Sequence, residues 1–161
     1  MPCLLELNLN GNALTSLADL RGLDCLKKLE CARNKLSTLA DFPQLPALEH
    51  FDASENRIEK DGEKELKNLH ECVNLKTMIM QGNPWVDEKG DDFKKEVLIC
   101  LFMLNIRQIN EMEPVTAEEI QDAKTEMAER EKARLEAEEE ARRAAEEAAN
   151  AGNPIEGEDE D

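Results

Sequence analysis

Apolar residues return along the first half of the chain in one fixed phrase, each time closed by an asparagine. Leu4-x-x-Leu7-x-Leu9-x-x-Asn12-x-Leu14 is followed by Leu26-x-x-Leu29-x-Cys31-x-x-Asn34-x-Leu36. Then come Leu48-x-x-Phe51-x-Ala53-x-x-Asn56-x-Ile58 and Leu75-x-x-Met78-x-Met80-x-x-Asn83-x-Trp85. The asparagines are 22, 22 and 27 residues apart. The centre of each phrase alternates with the period of a strand. Leu7 and Leu9 are therefore predicted to face inward, and Glu6, Asn8 and Asn10 outward. A phrase that recurs at fixed spacing predicts strands laid side by side and parallel. Each asparagine amide is predicted to satisfy main-chain groups in the turn that leaves its strand.

Between the phrases the period changes. Leu17, Leu20 and Leu23, then Leu39, Phe42 and Leu45, recur every three residues, which predicts 3₁₀ or short helical turns. The third return segment, 59–74, is longer, and Leu66, Leu69 and Val73 predict an α-helix. Asn83-Pro84-Trp85 reads as a loop. Phe93, Val97, Leu98, Leu101 and Leu104 read as an amphipathic helix, and Ile106 and Ile109 as a last extended segment. Beyond Pro114, Thr116-x-x-Glu119 is a capping box. No Gly or Pro interrupts Ala117 to Asn150, so about 50 Å of helix is possible at 1.5 Å per residue. Its large apolar residues, Ile120, Met127 and Leu135, keep no heptad, so a stable coiled coil is not expected. Glu126–Arg130, Glu138–Arg142 and Glu139–Arg143 stand at i, i+4. The segment reads as a lone, charge-stitched helix serving as a docking arm, or alternatively as a weakly helical solvated tail.

These phrases resemble leucine-rich repeats. Gly82-Asn83-Pro84, then Phe93-Lys94 where the family has Tyr-Arg, then Met103-Leu104 through Ile109-Asn110 resemble the C-terminal cap of its short, 22-residue-repeat members. Those include protein-phosphatase-1 regulators, a spliceosomal subunit, acidic nuclear phosphoproteins and ciliary axoneme proteins. The resemblance covers about residues 4–123. It implies an α/β fold: a leucine-rich-repeat solenoid of about four repeats plus a C-terminal cap, followed by a long single α-helix. The expected division is a capped solenoid over 1–112, a charged projecting helix over 113–150, and an acidic disordered tail over 151–161. Leu4 opens the first phrase with no polar capping element before it. Either the chain is a shortened version of a longer family member, or a partner covers the edge around Leu7 and Leu9.

Charge narrows the partners. The net charge is −17. Up to position 112 there are 14 basic and 19 acidic residues, and from 113 on there are 6 and 18. So acidic a chain disfavours direct binding to nucleic acid or an anionic membrane, and no apolar run approaches the ~20 residues of a bilayer span. The five cysteines form no Cys-x-x-Cys pair, and their odd number without a secretory leader predicts a reduced, intracellular protein. His70-x-Cys72 lacks a second ligand pair for a metal. Asp87, Glu88, Asp91 and Asp92 fit no calcium loop. With no phosphate loop and no nucleophile–base set, the chain is expected to be no enzyme, to use no cofactor, metal or small-molecule substrate, and to act on other proteins.

The candidate partner residues follow. Asn8, Glu30, Asp52 and Ile79 mark the outward face of the strands, with a solvated polar face as the alternative. Leu7 and Leu9 mark the open edge, and Ile120, Met127 and Leu135 the helix. The ciliary members of the family, among them a radial-spoke subunit and an outer-arm dynein light chain, have caps that run into mixed Glu/Arg/Lys extensions. The acidic nuclear members carry almost purely Asp/Glu tails. Residues 116–149 mix both signs, which favours a structural subunit of a ciliary axonemal complex, a radial spoke first, in the cytoplasm and cytoskeleton. The alternative is an acidic nuclear protein that binds histones or regulates a phosphatase.

Overall fold

The structure, a computed structural model, describes residues 3–59, 62–110 and 114–151. Its contacts divide the chain into two units, Met1–Lys124 and Thr125–Asp161.

In the first unit, five short strands form one all-parallel sheet in chain order: β1 (Glu6–Asn8), β2 (Lys28–Glu30), β3 (His50–Asp52), β4 (Thr77–Ile79) and β5 (Gln108–Ile109). The register follows the sequence spacing. Leu7 lies beside Leu29, Leu29 beside Phe51, Phe51 beside Met78, and Met78 beside Ile109. The central residue of each of β2 to β4 is buried and its neighbours are half-buried, which is the alternation of a sheet covered on one side.

The expected solenoid of about four repeats plus a cap is overturned. The architecture is a five-stranded parallel sheet whose connections differ from one another, together with a long C-terminal helix. The fifth strand adds to the sheet after a connection longer than the others. That connection holds two helices, α2 (Pro84–Lys89) and α3 (Asp92–Cys100). The β1–β2 link holds only a single 3₁₀ turn, Ala18–Leu20. The β3–β4 link holds the six-residue helix α1 (Gly62–Lys67). Four phrases thus count the strands short, because β5 carries no asparagine phrase and joins β4 through two residues only.

Two local expectations change with it. Asn83-Pro84-Trp85 opens α2, with proline at its first position, instead of a loop. The helix drawn from Leu66, Leu69 and Val73 ends at Lys67, and the chain tightens into i→i−3 turns (Leu69 N to Leu66 O, 2.9 Å; Cys72 N to Leu69 O, 2.9 Å). The tighter turn buries Cys72 and leaves Val73 62% exposed.

One continuous core lies under the sheet, with Leu26, Leu29, Leu36, Leu48, Phe51, Leu66, Leu75, Met78 and Phe93 removed from solvent. Trp85 stacks edge-on to Phe93, with ring centroids 5.2 Å apart, and its indole closes over Gly62. The asparagines Asn34, Asn56 and Asn83 are buried, whereas Asn12 is exposed. Asn34 Nδ2 donates to the carbonyls of Leu9, Cys31 and Ala32 at 3.0, 3.0 and 3.2 Å. Its Oδ1 accepts from Leu14 N at 3.0 Å. Asn56 repeats the pattern one strand on.

The helix α4 (Ala117–Ala151) opens on its capping box. Thr116 N donates to Glu119 Oε2 at 2.8 Å, and Glu119 N donates to Thr116 Oγ1 at 3.2 Å. Its first turns belong to the first unit. The second unit, from Thr125, is the rest of this helix; Glu126–Arg130, Glu131–Arg134 and Lys132–Glu136 pair along it. The tail from 152 lies outside the described residues. No helix among the described residues is long and apolar enough to cross a membrane.

Candidate protein-interaction surface

The parallel register locks the outward side chains into rows. Asn8, Glu30, Asp52 and Ile79 form one row across β1 to β4. Glu6, Lys28, His50, Thr77 and Gln108 form the row beside it. The four face residues singled out from the sequence thus come together as neighbours on adjacent strands, and adjacent strands lie about 4.8 Å apart.

Their polar groups are tied to one another. Asn8 Nδ2 donates to Glu30 Oε2 at 2.8 Å, and Lys28 Nζ pairs with Glu30 Oε1 at 3.0 Å. That bond to Glu30, with its charge, raises the Lys28 pKa above its usual value. Asp52 Oδ1 accepts from Ser54 N at 2.9 Å. Asn10 Oδ1 reaches β2's exit and accepts from Ala32 N at 2.7 Å. Burial lowers the His50 pKa below its usual value and Lys28 lowers it further, against the charges of Asp52 and Glu30. The face is therefore ordered by its own bonds before any partner arrives. Ile79 is its apolar member.

Leu7 and Leu9 lie on the opposite, inward face at the β1 end of the sheet. Both are half-buried, whereas Leu29, Phe51 and Met78 at the Leu7 register are fully buried. Leu4 and Leu5, leading into β1, are 43% and 51% exposed. On α4, Ile120 and Met127 are half-buried and Leu135 is exposed.

Sequence reasoning missed three features. Ile120 lines a cleft of about 360 Å³ with Leu98, Phe102, Met103, Ile106 and Ala123. The signal for it was Phe102-Met103, two large apolar residues just past the end of α3. At the strand entries Glu49 is held between Lys27 (3.4 Å) and Lys76 (2.5 Å). These positions precede β2, β3 and β4 by one residue, so the alternating charges were legible only once the register was known. Third, Cys3 and Cys25 form a disulfide, against the expectation of a fully reduced chain. They occupy the same place before the first and second phrases, and the register brings such positions together.

Of the remaining thiols, Cys31 and Cys72 are buried and Cys100 is half-buried. Burial pushes Cys31 up to about 12 and Cys72 up to about 11. His70 Nε2 bonds the Cys100 carbonyl at 2.8 Å. Among the described residues no His, Cys, Asp or Glu cluster has metal-binding geometry.

Comparison with known proteins returned no matching family model and no matching curated sequence.

Proposed function

We propose that this chain is a non-catalytic protein-interaction subunit of a ciliary axonemal complex, a radial spoke in the first instance. One observation carries the interaction part of the reading. Asn8, Glu30, Asp52 and Ile79 stand in a single register-locked row on the outward face of the parallel sheet. Such a row offers a partner fixed polar groups at strand spacing, with little side-chain ordering left to cost affinity. The ciliary part is supported by the resemblance of the asparagine phrases and of Gly82-Asn83-Pro84 to the short-repeat family. It is supported also by the mixture of Arg, Lys and Glu along 116–149.

The test is fractionation of cells that express a tagged chain. The reading expects the protein in salt-washed axonemes, with Asp52→Lys and Ile79→Asp reducing its retention while leaving the unfolding midpoint in place. Accumulation in nuclei and absence from axonemes would replace it with the acidic nuclear reading, which the net charge of −17 favours.

A further inference from the structure

Charge along the entry to the sheet follows the register. One residue ahead of each strand stand Leu5, Lys27, Glu49, Lys76 and Arg107, and the main chain holds them as neighbours. Lys27 N donates to Leu5 O (2.8 Å), Glu49 N to Lys27 O (2.8 Å), Lys76 N to Glu49 O (2.9 Å) and Arg107 N to Lys76 O (2.8 Å). Alternating signs are the favourable order in such a row, because like charges directly opposite on adjacent strands repel. Lys27, Glu49 and Lys76 obey it. Glu49 takes Lys27 Nζ at 3.4 Å and Lys76 Nζ at 2.5 Å. The next position breaks it. Arg107 stands beside Lys76 as a second cation, it is exposed, and no carboxylate among the described residues pairs with it.

The chain has carboxylates in excess, 37 Asp and Glu against 20 Lys and Arg. Those that form ion pairs serve other cations. Glu30 takes Lys28 Nζ at 3.0 Å, and Glu119 takes Lys94 Nζ at 2.6 Å. Glu126, Glu131 and Glu136 pair along α4 itself. On the outward face of β4 and β5 the neighbours of Lys76 and Arg107 are Thr77, Ile79 and Gln108, none of them charged. The entry row thus carries three cations to one carboxylate in a chain of net charge −17. A local rule broken without compensation from the fold is the mark of a functional site.

We propose that the strand-entry row from Arg107 to Lys27 docks an acidic, extended segment of a partner protein, with one carboxylate held by the Arg107 guanidinium beside Lys76. Spacing favours an extended segment. Three strand intervals of about 4.8 Å put Arg107 and Lys27 about 14 Å apart, and side chains on one face of an extended chain recur at about 6.8 Å, so residues i, i+2 and i+4 span the row. The carboxylate at i meets the planar fork of Arg107, which takes both oxygens. The one at i+4 meets Lys27, whose side chain is 58% exposed. Position i+2 falls between Lys76 and Glu49, where the charge of Glu49 opposes another carboxylate and a neutral polar residue fits. The segment is therefore acidic, polar and acidic at alternate residues.

A nucleic acid does not suit this row. Glu49 lies within it, Glu30 and Asp52 lie on the same sheet, and the net charge of the chain repels a phosphate backbone. The row lies ahead of Asn8, Glu30, Asp52 and Ile79, so it is a second surface beyond the one on which the proposed function rests.

The test uses the full ¹⁵N-labelled chain and the acetylated, amidated peptide Ser-Glu-Ser-Ser-Ser-Glu-Ser. Titrated to millimolar concentration, the peptide should shift the Arg107 Nε–H and the amides of Lys27, Lys76 and Gln108. Its affinity should fall on the order of fivefold as salt rises from about 0.05 M to about 0.2 M. Arg107→Gln should weaken binding on the order of tenfold with the unfolding midpoint in place, and Arg107→Lys, which keeps the charge but not the fork, should recover only part of it. Lys27→Gln should also weaken binding, and Ile79→Ser should leave it unchanged. The peptide with Gln for both Glu should shift nothing. Absence of shifts at millimolar peptide overturns the proposal, whether the row binds nothing or is already covered by a segment of this chain or a second copy. Equal binding by Arg107→Gln overturns it too. So does equal binding of Ser-Ser-Ser-Glu-Glu-Ser-Ser, which would reduce the row to unspecific charge. Tighter binding of an oligothymidylate to the same residues would assign the row to nucleic acid and overturn the protein segment. Loss of the axonemal fraction moves none of these readouts, so this proposal and the proposed function fail separately.

Discussion

A residue's place in the asparagine phrase sets what its loss costs. Asn34 satisfies three carbonyls and one amide, two of these four groups belonging to the preceding strand's exit. Asn34→Leu fits the space but leaves those groups buried and unpaired, at about 1–3 kcal/mol for each one water cannot reach. Denaturant unfolding of Asn34→Leu should show a clear drop in midpoint, and Asn12→Leu, at an exposed position, a much smaller one. Equal effects would count against the ladder. Gly62 makes the opposite kind of demand. A Cβ there would lie 2.0 Å from Trp85 Cδ2, and that indole is itself clamped against Phe93. Gly62→Ala should therefore displace the ring, destabilise the fold by roughly 1–3 kcal/mol as overpacking does, and shift Trp85 fluorescence to the red. An unchanged spectrum would show that the indole does not close over Gly62. At this scale the sequence was most legible where spacing alone decides. Asn34 and Asn56 were readable because 22-residue spacing forces equivalent positions together. Gly62 was not, since the contact joins residues 23 apart in unlike settings.

Elements depend on side chains borrowed from their neighbours. Glu65 on α1 caps the turn at Thr38-Leu39, accepting from Thr38 Oγ1 at 2.9 Å and from the Leu39 amide. The start of α4 is held the same way. Glu119 closes the capping box and takes Lys94 Nζ of α3 at 2.6 Å. The bond to Lys94 first, and that to Thr116 N next, lower the Glu119 pKa. Lys76 first and Lys27 next do the same for Glu49. Both carboxylates have folded pKa values below their unfolded ones. Their contribution is thus present above the unfolded value, near 4.5, and is lost as pH falls through the folded values. Thermal melts between pH 6 and pH 2 should show stability falling below about 4.5, less steeply in Lys94→Met and Lys76→Met. A wild-type slope in both variants would remove these pairs as the cause. The capping box itself was legible, because Thr116 and Glu119 are three apart in sequence. The extended segment at Ile106 and Ile109 was legible, though not its pairing beside β4; the Glu65 cap and α2 were not. Glu65 acts 26 residues from Leu39, β5 pairs through two residues without a phrase, and the proline that suggested a loop is also the residue best suited to a helix's first position.

Across the first unit, stability should be graded from one side of the sheet to the other. Leu7 is half-buried at the β1 end, while Leu29, Phe51, Met78 and Ile109 along the same register are sealed. Among the described residues strand β1 has a neighbour on one side only, and the two-residue strand β5 is backed by the Val115–Arg107 bond and by buried Ile106 and Ala123. The apolar area that β1 fails to bury lowers its local opening energy relative to the centre. The disulfide Cys3–Cys25 works against this, since it closes a loop across a separation of 22 residues. In the chain-entropy account such a closure is worth roughly 3 kcal/mol. Native-state hydrogen exchange should therefore rank the amides of Leu9 and Gly11, bonded to Glu30 O and Ala32 O, as faster than those of Cys31 and Ala53, bonded to Asp52 O and Ile79 O. Reduction, or Cys25→Ser, should accelerate Leu9 and Gly11 strongly while Ala53 and the β4 amides change little. Uniform acceleration would mean that the sheet opens as one cooperative body and that the staple stabilises all of it. No change at any amide would mean that β1 is held by its hydrogen bonds and half-buried leucines alone.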